Sequence, residues 1–270
     1  MRTGGPESLH RLSYELQRVS DIQVQLWDPW LTTSWREPVK DYWAYGPNWS
    51  NKWNPGDFDF VIIPESFAFL PKRLKVSPDR VFIWWLSVHN AVPRIKGVST
   101  ISPSDLWGES MKRHQADIIT RIGKAARRLE SLIFANPVNP FAARHLFQSH
   151  YAQEQVETAL GVRGNRLFTP AEGLGDNYQE YLRDTSQNMP RITYNGSKGS
   201  ENVDKLRGYL PNVDFRPLKN LSKQEVLEEL ASSTLYVDLG HFPGRDRLPR
   251  EAGKVRCPVV IACRGAGESN

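Results

Sequence analysis

Short apolar runs alternate with amphipathic stretches along most of the chain, the pattern of βαβ units built around parallel sheets. In residues 8–19, Leu9, Leu12, Leu16 and Val19 recur at helical spacing and mark one stripe of a first helix. Residues 22–27 read as a strand. Residues 58–64 and 80–86 are continuous apolar runs, which suit strands buried on both faces. Residues 109–132 predict a long helix rich in Arg and Lys. A strand near Leu146 and a helix over 152–160 close this half.

Residues 168–177 carry Pro and Gly without periodicity and read as a linker. Beyond it the alternation is regular, with strands at 191–194, 213–215, 234–239 and 258–263. Helices at 201–210, 222–232 and 248–255 lie between them. Ser222 and Glu225 have capping-box spacing, flanked by Leu221 and Val226 as a hydrophobic staple. This is half of a doubly wound unit. The expected fold class is α/β, with two Rossmann-like domains at 1–180 and 181–270. Only Met1–Thr3 precede Gly4 and Gly5, and Asn270 follows the last strand closely. The expectation is a chain trimmed at both ends, or one that a partner covers.

Composition changes this picture little. The 270 residues are 39% hydrophobic and 24% charged, as in ordinary globular proteins. No apolar run is long enough to cross a bilayer, and the expected location is cytoplasmic. The formal charge of +5 favours anionic partners without naming one. Cys257 and Cys263 flank one apolar run and are expected to pack as small buried thiols. No Cys/His quartet has the spacing of a structural zinc site. Six tryptophans between 27 and 53 sit among Pro and Gly, and packing explains them better than ligand stacking.

Three segments end up at the C-terminal ends of predicted strands, where open α/β sheets bind ligands. In Tyr194-Asn-Gly-Ser-Lys-Gly199, the glycines permit close backbone approach and Lys198 supplies charge for a phosphate. A glycine-rich turn with a solvated lysine accounts for the same residues. In 240–252, Arg245, Arg247 and Arg250 are placed to clamp a pyrophosphate, and Glu251 to accept from ribose hydroxyls. The local alternative is a pair of i,i+4 contacts, Asp246 with Arg250 and Arg247 with Glu251. The third segment is the exit Cys263–Glu268, with Gly265 and Gly267 free to approach a phosphate or to make a turn. In the first half, Gly4 and Gly5 open the first helix and are candidates for a cleft wall. Glu65 and His89 each follow a strong strand and are candidate proton carriers.

Taken together, these stretches resemble the GT-B glycosyltransferases, in particular their large retaining group. The resemblance rests on GGPESLHRL, FQSHYAQEQV, YNGSKG and, most specifically, YVDLGHFPGRDRLPREAGKVRCPVVIACRGAGE. It implies two Rossmann-like domains facing across a cleft and transfer of a sugar from a nucleoside-diphosphate donor. The mechanism implied needs no metal and retains the anomeric configuration. It assigns Lys198 to the donor diphosphate, Glu251 to the donor ribose, and Gly4 and Gly5 to the donor or acceptor. Gly199, Gly265 and Gly267 would line the donor. The sequence departs from the family pattern at three places. Pro243 stands where a second Glu is common, and Arg256 where Gly is usual. The arginine that accompanies the lysine has no counterpart, so Arg245 or Arg247 is expected to replace it.

The expected partners are the nucleotide-sugar donor and a glycan or lipid-linked acceptor, with no cofactor. The basic residues of 110–128 suggest peripheral contact with an anionic membrane, a solvated helix face being the plainer account. A sugar-nucleotide epimerase, a partner-dependent sugar-nucleotide-binding module and a nucleic-acid binder remain as other readings.

Overall fold

A computed structural model describes residues 4–19, 21–27, 40–46, 48–50, 54–65, 75–88, 143–166, 178–182 and 190–268. Helix α1 (Gly4–Val19) comes first, followed by a short parallel pair, β1 (Leu26–Trp27) with β2 (Trp49–Ser50). A four-stranded sheet follows, made of β3 (Val61–Pro64), β4 (Val81–Trp85), β5 (Arg144–Phe147) and β6 (Asn165–Arg166) in that spatial order. All its pairings are parallel. The chain is thus mixed α/β with parallel sheets, compatible with a Rossmann-like fold.

The two strong apolar runs behave differently. In β4, Val81, Ile83, Trp84 and Trp85 are fully buried, as a strand covered on both faces requires. In β3 only Ile63 is buried, and Phe60 just before it is 57% exposed. The difference is positional, because β3 lies at the edge of its sheet and pairs with β4 alone. Helix α2 (His150–Leu160) begins where the Ser149 hydroxyl accepts from the Ala152 N–H and ends on Gly161 in the left-handed region. Its Ala152, Val156 and Leu160 join Ile63, Ile83, Trp85 and Phe147 in one core.

Helix α1 departs from its predicted stripe. Leu9, Leu12 and Leu16 are only half-buried, whereas Ser8, His10, Arg11 and Ser13 are buried. The face turned inward is the polar one. His10 stacks on Tyr42 at 4.5 Å between ring centres and lies 4.9 Å from Trp49, while Ser8 accepts from the Gln148 amide. Of the tryptophans in this region that are described, Trp27 and Trp49 are half-buried and Trp43 is exposed. The strand expected at 22–27 shortens to its last two residues, and Ile22 is exposed.

The second sheet runs through β7 (Arg191–Asn195), β8 (Asp214–Leu218), β9 (Leu235–Asp238) and β10 (Val259–Ile261). Its spatial order is β8-β7-β9-β10, again wholly parallel. Helix α3 (Ser200–Tyr209) covers one face, where Val203 meets Ile192, Tyr194, Phe215 and Val237. Helices α4 (Lys223–Ala231) and α5 (Arg247–Lys254) cover the other, where Leu227, Leu230 and Ala252 meet Tyr236. The predicted capping box opens α4, with the Ser222 hydroxyl accepting from Glu225 and the Glu225 carboxylate from Ser222. Because β8 lies to one side of β7 and β9 to the other, strand order reverses between β7 and β9. A crevice opens at such a reversal, beyond the C-terminal strand ends.

Cys257 is buried as expected, but Cys263 is exposed, and the two are not joined. Cys263 belongs to the turn leaving β10, outside the apolar layer. The basic helix expected at 109–132, the linker at 168–177 and His89 lie outside the described residues.

Candidate functional site

The reversal between β7 and β9 is where the chemistry collects. β9 ends on Asp238, a carboxylate that is buried in the sheet. It accepts from the Tyr236 hydroxyl at 3.1 Å, the Asn195 amide at 3.3 Å and the Gly240 N–H at 3.1 Å. Burial, and then Asp238 itself, push the Tyr236 hydroxyl well above its usual range, so it remains a neutral donor.

Lys198, in the turn between β7 and α3, brings its ammonium to this carboxylate at 3.4 Å. The same nitrogen forms a short ion pair with Asp246 and donates to the His241 carbonyl at 3.0 Å. It also lies 3.9 Å from the centre of the Phe242 ring. Lys198, expected to meet a phosphate, lies at the strand ends and donates to two protein acceptors with Asp238 beside it. The turn fits closely. A side chain on Gly199 (φ 68°) would meet the Gly240 nitrogen at 2.5 Å, and one on Gly240 would meet Lys198 itself. Gly199 is thus required by backbone approach and by its φ, and Gly240 leaves room for the Lys198 stem.

Asp246 stands at the N-cap of α5, but its carboxylate does not cap the helix. It turns to Lys198. The i,i+4 contact anticipated between Asp246 and Arg250 is replaced by backbone bonds, with Arg250 donating to the carbonyls of Asp246 at 3.1 Å and Arg245 at 3.3 Å. Burial raises the Asp246 carboxyl above its usual range, Lys198 draws it back down, and Asp238 adds to the rise.

The other anticipated local pair does form. Arg247 Nε lies 3.2 Å from Glu251, which is buried, and its NH1 lies 3.8 Å from Glu7 on α1. Glu7 also accepts from the Tyr45 hydroxyl at 3.1 Å. A chain of polar contacts thus runs from the 40–45 segment through α1 into α5. Arg245 is half-buried.

The first sheet reaches the same place. Glu65, directly after β3, is buried, and its two oxygens accept from the N–H groups of Leu86 and Ser87 at 2.9 and 3.1 Å. Those residues leave β4, and Ser87 forms an antiparallel bridge with Gly244. A side chain on Gly244 would come within 2.2 Å of the Leu86 carbonyl oxygen. Gly5, in the first turn of α1, has Leu86 as its neighbour at 3.7 Å. Glu65, Gly5 and the α5 segment therefore converge along one seam, with Gly4 opening the same helix.

Gly265 and Gly267 lie under the loop that follows β9. Gly265 (φ 61°) bridges Phe242, and a side chain there would meet the Phe242 carbonyl at 2.3 Å. Gly267 has the Ala262 carbonyl at 2.4 Å in the same sense. Both support the loop that carries Lys198's partners. Arg256 adopts φ 60°, the left-handed conformation that glycine favours.

Sequence reasoning did not single out Asp238, Asn195 or Tyr236, and read Asp246 only as a surface partner. The available signal was a carboxylate ending a β-branched and aromatic run in YVDLG, since a buried charge at a strand end needs partners. Among the described residues, no group of three or more His, Cys, Asp or Glu is arranged to hold a metal ion. No described helix is long and apolar enough to cross a membrane. The chain matches no known family model and no curated protein.

Proposed function

We infer that the chain binds a nucleoside-diphosphate sugar at the β7–β9 reversal and transfers its sugar to a glycan or lipid-linked acceptor. The observation that supports this reading is Lys198 among close-packed glycine turns at the C-terminal ends of β7 and β9, with the Arg247–Glu251 pair in the helix that follows. In this reading the cations take the diphosphate and offset charge on the departing nucleotide, and Glu251 takes ribose hydroxyls. The seam beside Gly5 and Leu86 supplies the acceptor side. Such an arrangement calls on no cofactor, and a GT-B arrangement with retention of configuration is its fullest form.

A second reading, a sugar-nucleotide-binding module without transferase activity, is favoured by one observation. Glu65 spends its carboxylate on two backbone N–H groups, which suits support of the β4 exit better than proton transfer. A thermal-shift screen against UDP, GDP, ADP, TDP and CMP, with and without EDTA, tests the common part. The reading predicts a rise with one base that survives EDTA. No rise with any of them would remove it. Release of nucleoside diphosphate only when an acceptor is added separates the transferase from the module.

A further inference from the structure

Lys198 donates to Asp246 and to the His241 carbonyl and pairs with Asp238 at 3.4 Å, so an ammonium that turns to a bound phosphate gives up part of this set. The two carboxylates differ in what remains when the ammonium turns away. Asp238 keeps the Tyr236 hydroxyl, the Asn195 amide and the Gly240 N–H. Among the described residues, the Asp246 carboxylate has Lys198 as its one side-chain hydrogen-bond partner and does not cap its own helix.

We propose that Asp246 is a positioning residue that exchanges Lys198 for a proton when a diphosphate binds. The ammonium moves from Asp246 to the phosphate oxygens, and the carboxylate it leaves takes one proton from solvent. The inference rests on the reading of Lys198 as a phosphate ligand. The groups facing Asp246 make protonation the favoured response. Asp238, from β9, is a second negative charge held within reach of the same nitrogen. Arg250, from α5, donates to backbone carbonyls and draws the Asp246 carboxyl down less than Asp238 lifts it, and Tyr236 below is neutral. Burial already lifts the Asp246 carboxyl while Lys198 opposes it, and removing that opposition lifts it further.

The sign follows from linkage. A site that takes up a proton on binding holds its ligand more tightly as pH falls, by up to about tenfold per pH unit. The effect spans the interval between the paired and vacated states of Asp246. Before binding, Asp246 positions Lys198 at the crevice and also competes with the ligand for it. Replacing Asp246 by Asn removes the competitor's charge, so the variant should bind more tightly than wild type at the upper end of the range. A purely structural role predicts weaker binding there.

The test is isothermal titration of the intact chain with UDP-glucose, ADP-glucose and GDP-mannose between about pH 5.5 and 8, each in two buffers of different ionisation enthalpy. The diphosphodiester of these probes holds its charge across that range. The expected result is net proton uptake on binding, affinity rising as pH falls, and loss of both in Asp246→Asn. Binding without proton uptake, or with a slope unchanged in Asp246→Asn, would overturn the exchange and leave the phosphate reading standing. Binding of none of the three would overturn both. If Asp246→Asn does not fold, the wild-type proton count decides alone, and a count of zero rejects the exchange.

Discussion

Two carboxylates, the buried Glu65 after β3 and the half-buried Asp246 at the start of α5, are satisfied in opposite ways. Glu65 accepts from two backbone N–H groups at the exit of β4, donors that cannot leave without unfolding the turn. Asp246 is satisfied by one ammonium on a flexible four-carbon stem. The first arrangement fixes a seam. The second can exchange partners. A carboxylate at a strand end is therefore not a proton carrier by position alone, because what decides its role is whether its donors are able to move.

Removing Lys198 should have the largest effect on this contrast. Lys198→Met leaves the buried Asp238 and the half-buried Asp246 without that cation, at a cost of about 3 kcal/mol at pH 8. With its carboxyl raised further, Asp246 takes up a proton as pH falls, so the deficit should shrink towards acid. Urea denaturation at several pH values reads this, and a deficit that ignores pH would break the comparison. Gly244→Ala probes the seam. A Cβ within 2.2 Å of the Leu86 carbonyl forces the β4 exit away from the α5 segment, costing about 2 to 3 kcal/mol.

Glu65→Gln comes next. It points an amide N–H at one of the two backbone donors and should lower stability by about 2 kcal/mol. Nucleotide affinity per folded molecule should not change. If affinity or transfer falls while the melting temperature holds, Glu65 belongs with the chemistry after all. On the same side, burial pushes His10 down to about 4 from 6.5. The unfolded chain then binds a proton before the folded one does. Stability is full above about pH 6.5 and falls as pH drops towards 4, by on the order of 2 kcal/mol. His10→Phe should flatten that part of the curve. The smallest effect belongs to the second sheet. Arg256→Gly relieves a left-handed backbone and should raise stability by about 1 kcal/mol, visible as a higher midpoint in denaturant.

The alternation of the second half was legible in detail. Each of its strands and helices forms within a few residues of its expected place, because buried parallel strands and capped helices carry local signals. β8 runs beyond its predicted end, through Pro217, which an edge strand tolerates. The first half was harder to read. The leucines of α1 suggested an inward apolar stripe, yet His10 and Ser8 face inward because Tyr42 and Gln148 receive them. Such partners lie far away in sequence. The same holds at the site. Lys198 was recognisable from its glycine-flanked turn, but its ties to Asp238 and Asp246 span 40 and 48 positions and leave no periodic trace. Cys263 was expected inside and lies outside because β10 ends two residues earlier.

The account stands most directly on where a nucleoside diphosphate lands. Hydrogen exchange of the full chain, with and without the diphosphate that gives the largest thermal shift, measures that location. The account predicts slowed exchange in 196–200, 240–247 and 263–268, the backbone around Lys198 and its partners. Protection confined to other segments, or none at saturating ligand, would contradict it.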